Sequence, residues 1–148
     1  MIFEGKFQIN ASVQRTWDFL MDIREVASCI PGCQKVEVLD DKNFAITISQ
    51  RVGLISATFE TQTSLTEVDP PNRLAVIGRG KDTRMGSSFE FTNQMELVQI
   101  SERETAVKYR ADVKISGRLA SVGQSLIKVV AKREVAKAVK LIQEKIGG

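Results

Sequence analysis

The sequence predicts an α+β fold in which a strongly curved, seven-stranded antiparallel sheet wraps around one long C-terminal helix. Three observations carry this. From Lys35 the chain alternates apolar and polar residues for about eighty residues, which is the period of half-buried antiparallel strands. Residues 118–148 contain no proline and are rich in Leu, Ile, Val, Ala and Lys, the composition of a long helix. One strand and two short helical stretches precede the alternating region. A sheet with one apolar face needs a cover, and the terminal helix is the element long enough to supply it.

Residues 1–9 form the first strand, with Phe3, Gly5, Phe7 and Ile9 on one side and Glu4, Lys6 and Gln8 on the other. Asn10 or Ser12 caps a helix over 13–22 that gathers Val13, Trp17, Leu20 and Met21 on one face, with Trp17 as a core anchor. A second turn over 24–29 stops at Ile30-Pro31-Gly32, where proline cannot continue a helix. Six strands follow. Their corners are Asp40 to Asn43, Gly53, Asp69-Pro70-Pro71-Asn72, residues 81–86 and Ser101 to Glu104. Inward positions include Phe44, Ile46, Ala57, Phe59, Thr61, Thr63, Phe89, Phe91, Asn93, Met95, Tyr109 and Ala111. Gly78 and Gly80 read as a bulge or bend.

The terminal helix is expected to start at Ser116-Gly117 and end at Gly147-Gly148. At about 100° per residue, Leu119, Val122, Leu126, Val129 and Val130 share one arc, and Val135, Val139, Ile142 and Ile146 a nearly opposite one. The stripe therefore changes face near Lys132-Arg133-Glu134. Either the helix drifts or bends over a core, or one half roofs a pocket while the other seats a partner or membrane. From residue 118 onward there are seven Lys/Arg and two Asp/Glu, net +5, so residues 1–117 sum to −2. A basic helix is a solvated face or one suited to an anionic surface.

Composition narrows the function classes. The 148 residues suffice for one domain with a core, and 43% hydrophobic content argues against disorder. Residues 1–10 lack the pattern of a secretory signal, and no run approaches the ~20 apolar residues that cross a bilayer. The expected location is cytoplasmic, with membrane contact peripheral on the inner face. Net charge +3 without basic–aromatic interleaving gives no footprint for nucleic acid. There is no histidine, which removes the commonest general base and a principal metal ligand. Cys29 and Cys33 alone do not close a zinc site and read as reduced thiols. The carboxylates fall mainly on wet faces and in turns, Asp40, Asp69, Asp82, Glu102 and Glu104 among them. No catalytic set, metal or cofactor is expected.

A curved sheet gripping a helix encloses volume, and the inward set mixes small or polar residues with aromatics. That mixture suits an apolar ligand with one or two polar handles.

The residues themselves resemble a known family. FEGKFQINAS with Trp17-Asp18-Phe19-Leu20, then Cys29-Ile30-Pro31-Gly32, Val52-Gly53-Leu54-Ile55-Ser56-Ala57, Glu67-Val68-Asp69-Pro70-Pro71, Tyr109 to Lys114 and Ser116-Gly117-Arg118-Leu119-Ala120 occur in the order seen in the CoxG family of carbon monoxide dehydrogenase subunits. That family lies within the START-like, Bet v 1-like helix-grip superfamily. Cys33 departs from the small residue expected there. The resemblance implies an apolar cavity between sheet and helix, and an accessory role beside a molybdenum hydroxylase of the carbon monoxide dehydrogenase type. That role is membrane attachment, or carriage of a lipid-like molecule such as a quinone; it does not imply molybdopterin binding by this chain. The expected ligand wall is Phe59, Phe89, Phe91, Tyr109, Leu126 and Val130, with Ile30 at the mouth. The expected membrane or partner surface is Lys132, Arg133, Lys137, Val139, Lys140 and Ile142. Two other readings stay open: a structural adaptor with a filled core, and a cyclase- or hydrolase-type enzyme of the same fold.

Overall fold

Strand β1 (Ile2–Ile9) leads into α1 (Val13–Met21) and α2 (Ile23–Ala27), and the meander follows. Its strands are β2 (Cys33–Val38), β3 (Asn43–Val52), β4 (Ile55–Asp69), β5 (Arg73–Asp82), β6 (Ser87–Ser101) and β7 (Glu104–Ser116). A 3-10 turn (Arg118–Val122) and α3 (Gln124–Ile146) complete the chain. This computed structural model describes residues 1–82, 84 and 86–146. All strands pair antiparallel in one seven-stranded sheet of order β1-β7-β6-β5-β4-β3-β2.

Local chemistry sets the boundaries. Ser12, not Asn10, caps α1: its hydroxyl accepts from the Arg15 N–H at 3.1 Å, and Thr16 Oγ1 donates to the Ser12 carbonyl at 2.9 Å. The Asp22 carboxylate caps α2 in the same way. Asp40 organises the β2–β3 turn by accepting from the N–H groups of Lys42 and Asn43, both at 2.8 Å.

Four expectations need correcting. The long helix begins at Gln124, because Gly117 (φ +82°) and Gly123 (φ +94°) take conformations that interrupt it. The intervening 3-10 turn buries Leu119, whose N–H donates to Ser87 Oγ at 2.9 Å. Second, the apolar stripe of α3 does not change face. Ile127, Val130, Ala131, Glu134, Val135, Ala138, Val139, Ile142 and Ile146 form one continuous buried-to-half-buried line, while Leu126 and Val129 stand off it. Third, Gly78 and Gly80 mark no bulge; the β4–β5 irregularity lies between Leu65 and Glu67. They lie opposite Phe91 and Phe89, whose rings occupy the space a Cβ would need. Fourth, Asp82 is buried, accepting from the N–H groups of Thr58 and Arg84. The expected helix end at Gly147-Gly148 and part of the corner over 81–86 lie outside the described residues.

Two packing centres hold the helix against the sheet. One gathers Ile9, Trp17, Phe19, Cys29, Leu97, Val107 and Ile142 beneath α1 and the C-terminal part of α3. The other gathers Val52, Ala57, Phe59, Leu119, Ile127 and Val130 beneath its N-terminal part. Each fully buried Ile, Leu or Phe contributes roughly 1.5–3 kcal/mol.

Candidate ligand-binding site

The site lies where those two packing centres fail to merge. Between them the inner faces of β6 and β7 carry Phe91, Asn93, Tyr109, Ala111 and Val113, all only half-buried despite facing the helix. Backbone to backbone, α3 lies nearest to the outer strands β1 and β3 rather than to β5 and β6. Among the described residues, two polar atoms in this interior lack partners: Thr61 Oγ1, on a residue only 2% exposed, and Asn93 Oδ1. A buried hydroxyl or amide oxygen without a hydrogen bond is costly, so its persistence is informative.

The aromatic side chains are arranged by the sheet register. Phe89 lies over Gly80 and meets Phe59 edge-on, with centroids 4.9 Å apart. Phe91 lies over Gly78 and stacks near Phe89 at 6.0 Å. Tyr109 lies over Gly5, its β1 partner, and is tilted against Phe7 at 6.2 Å. Each ring takes the place of a missing Cβ, so three large apolar surfaces lie low against the sheet.

The interior reaches the surface sideways, between β1 and α3. A groove of about 480 Å³ is lined by Phe3, Phe7 and Tyr109 from the sheet and by Val135, Ala136 and Val139 from the helix. Lys6, Lys132 and Lys140 stand at its rim with Glu4 and Gln143. Gln143 Nε2 donates to the Gln8 carbonyl at 2.9 Å, and Lys145 reaches Glu25 at 3.1 Å and Ser28 Oγ at 2.7 Å. These contacts pin the far end of α3 and close the groove there. A second cleft of about 290 Å³ opens beside the start of α3, between Met1, Val113 and Ile115 on one side and Ala120, Gln124 and Ile127 on the other.

Against this geometry the expected site residues divide. Tyr109, Lys132, Val139 and Lys140 come together around the groove, although the sequence pattern places them on two different surfaces. Phe89 and Phe91 face the interior, half-buried. Phe59 and Val130 lie in the second packing centre, at 5% and 8% exposure. Ile30 is half-buried at the corner before β2, where the Pro31 carbonyl accepts from Gln50 Nε2. Leu126 does not line the interior. It is 37% exposed and packs over Gly53, because it lies off the buried stripe. Ile142 is not a surface residue: it is 7% exposed within the first packing centre. Arg133 and Lys137 are exposed and both pair with Glu134, at 3.5 and 3.4 Å. Lys6, Phe3, Phe7 and Val135 are groove residues that the sequence pattern does not single out as a site. The alternation of β1 shows which way its side chains face, but pairing of β1 with β7 is needed to place them beside α3.

This arrangement defines a helix-grip protein: a curved antiparallel sheet, a long C-terminal helix and an apolar interior between them. The chain belongs to the CoxG family of carbon monoxide dehydrogenase subunits, whose model matches residues 5–147. Among solved structures it is similar to a conserved protein from Geobacillus kaustophilus (TM-score 0.90, 20% identity, covering 98% of this chain and 94% of that one). It is also similar to a START superfamily protein from Mycobacterium smegmatis (TM-score 0.73, 11% identity, 98% and 96% covered). The ZhuI aromatase/cyclase from Streptomyces sp. R1128 shares the fold as well (TM-score 0.70, 15% identity, 98% and 92% covered). At these identities the likeness is one of fold. No curated protein matches the chain.

Proposed function

We propose that this protein is a non-enzymatic accessory protein that holds a lipid or quinone between sheet and helix, beside a molybdenum hydroxylase of the carbon monoxide dehydrogenase type and the inner face of the membrane. The observation that carries the reading is the break in packing between the two centres, open to the surface through the groove of about 480 Å³. Phe91 and Tyr109 supply apolar wall, Phe3, Phe7, Val135 and Val139 the way in, and Thr61 and Asn93 the polar handles. Burying about 300 Å² of apolar ligand surface yields on the order of 7 kcal/mol before association costs, which suits reversible holding. The basic flank of α3, Lys132, Arg133, Lys137 and Lys140 with Val139, is offered to an anionic membrane or partner surface.

The non-enzymatic part rests on side-chain chemistry. The chain has no histidine, the polar groups between the packing centres are Thr61, Thr63, Asn93 and the Tyr109 phenol, and the buried Asp82 carboxylate is taken up by the N–H groups of Thr58 and Arg84. The likeness to an aromatase/cyclase keeps the alternative definite: a converted product recovered with the protein would establish an enzyme.

The test is mass spectrometry of the organic extract of protein purified from membrane-containing lysate. Stoichiometric lipid or quinone establishes a carrier. An empty extract, repeated after incubation with quinone-loaded vesicles, favours an adaptor with a closed interior.

A further inference from the structure

The tip of the β3–β4 hairpin carries Leu54, which is 95% exposed. The hairpin is well held: Gly53 turns it with φ +63°, Arg51 Nε donates to the Gly53 carbonyl at 3.3 Å, and Leu126 packs against Gly53. Leu54 therefore projects outward from a held turn. Beside it α3 exposes Leu126 and Val129, at 37% and 62%. These are the off-stripe residues of the first two turns.

Charge distinguishes this end from the rest of the molecule. The hairpin tip and the start of α3 that meet here, residues 50–57 and 118–130, contain no aspartate or glutamate. They bring Arg51, Arg118 and Lys128, all exposed. The turns at the opposite end of the sheet are acidic on balance, with Asp40, Asp41, Asp69 and Glu102 against Lys42 and Arg103, all exposed. A protruding leucine beside two exposed apolar helix residues, on segments that carry cations and no carboxylate, complements a lipid surface with anionic headgroups. Three side chains are far too few for a stable protein interface, which needs about 800 Å² on each partner.

We propose that this end, with Leu54 inserted and Leu126 and Val129 following, is where the protein seats on an anionic bilayer. The inference rests on the reading that the protein meets a membrane, and it supplies the orientation. The cleft lined by Met1, Ile115 and Gln124 opens beside the same start of α3, so the interior faces the lipid when the tip is seated.

The experiment is cosedimentation with vesicles of phosphatidylcholine alone and of phosphatidylcholine mixed equally with phosphatidylglycerol. The parent protein is expected to bind the mixed vesicles, less so at high salt. Leu54→Ser and Val129→Ser should each weaken this by about tenfold or more. Ile77→Ser, which alters a 46% exposed isoleucine on the outer sheet face, should bind as the parent does. Quinone capture from detergent micelles, measured on the same proteins, separates the seat from the ligand reading. If Leu54→Ser and Val129→Ser bind vesicles like the parent, the seat is elsewhere and the proposal fails. If the parent binds neither vesicle but captures quinone from micelles, the seat fails and the ligand reading stands. Loss of both overturns both. A parent that dimerises without lipid, with the dimer abolished by Leu54→Ser, replaces the membrane by a second copy of the chain.

Discussion

The Tyr109 hydroxyl lies over Gly5, its partner across β1 and β7, only 2.6 Å from where a Cβ on that residue would stand. Gly5→Ala therefore pushes the phenol ring toward the groove. Because the obstructing atoms are the far end of a side chain, the loss in stability should be modest, about 1 kcal/mol. Gly78→Ala meets the edge of the Phe91 ring at a closer approach and should cost more, about 2 kcal/mol. Urea unfolding of the two variants reads the difference, and equal losses would argue against this picture of rings laid on glycines.

Phe91→Trp tests the wall. An indole has no room beneath it at Gly78, so its extra bulk must enter the space between sheet and helix. The variant should fold and lose most of its ligand capture. Unchanged capture by a folded variant would remove Phe91 from the wall.

Thr61 presents the opposite kind of test. Its Oγ1 has no partner, so Thr61→Val breaks no hydrogen bond within the protein and should leave stability within about 1 kcal/mol of the parent or slightly higher. If the hydroxyl is a handle for a polar headgroup, the variant should lose affinity for a quinone while keeping it for a purely hydrocarbon chain. Calorimetric titration with the two ligands checks this, and a marked loss of stability would show that the hydroxyl has a partner.

Ile142 and Leu126 should exchange the roles the sequence suggests for them. Ile142→Ala leaves a hole in the first packing centre and should cost about 3 kcal/mol. Leu126→Ala should cost less than about 1 kcal/mol. Denaturation midpoints with matched m-values decide it.

Asp40 gives a pH signature. The Lys42 N–H lowers its pKa from the ordinary 3.8, followed by the hydrogen bond from the Asn43 side chain. A depressed folded-state value means that its contribution is present above the unfolded pKa and is lost as pH falls through the folded one. Asp40→Asn should therefore flatten the acid limb of the stability profile, most visibly below about pH 4. Identical acid limbs for parent and variant would exclude Asp40 as a contributor.

Much of this architecture is legible because strand alternation is a local property. The seven strands and the two short helices follow from side-chain period and turn residues alone. The α3 stripe misleads because Leu126 and Val129 look like core residues in a helical projection. Only the break at Gly123 and the seating of Ile127 and Val130 against Phe59 decide which arc faces inward. Gly78 and Gly80 mislead for a related reason. A glycine that bends a strand and one that makes room for a neighbour's ring are identical in sequence, and the distinction lies in the β5–β6 register. Long-range pairing likewise places β1 beside α3 and makes Lys6 and Phe7 part of the groove.

The continuous α3 has a consequence for distance. Its 23 residues, at 1.5 Å each, span about 34 Å. With Leu54 in the headgroup layer, the acidic turns stand roughly a helix length out in the aqueous phase. The molecule is then a stand-off as well as a container. An enzyme gripping its outer end would be held clear of the lipid, with the groove between β1 and α3 opening part of the way along that span.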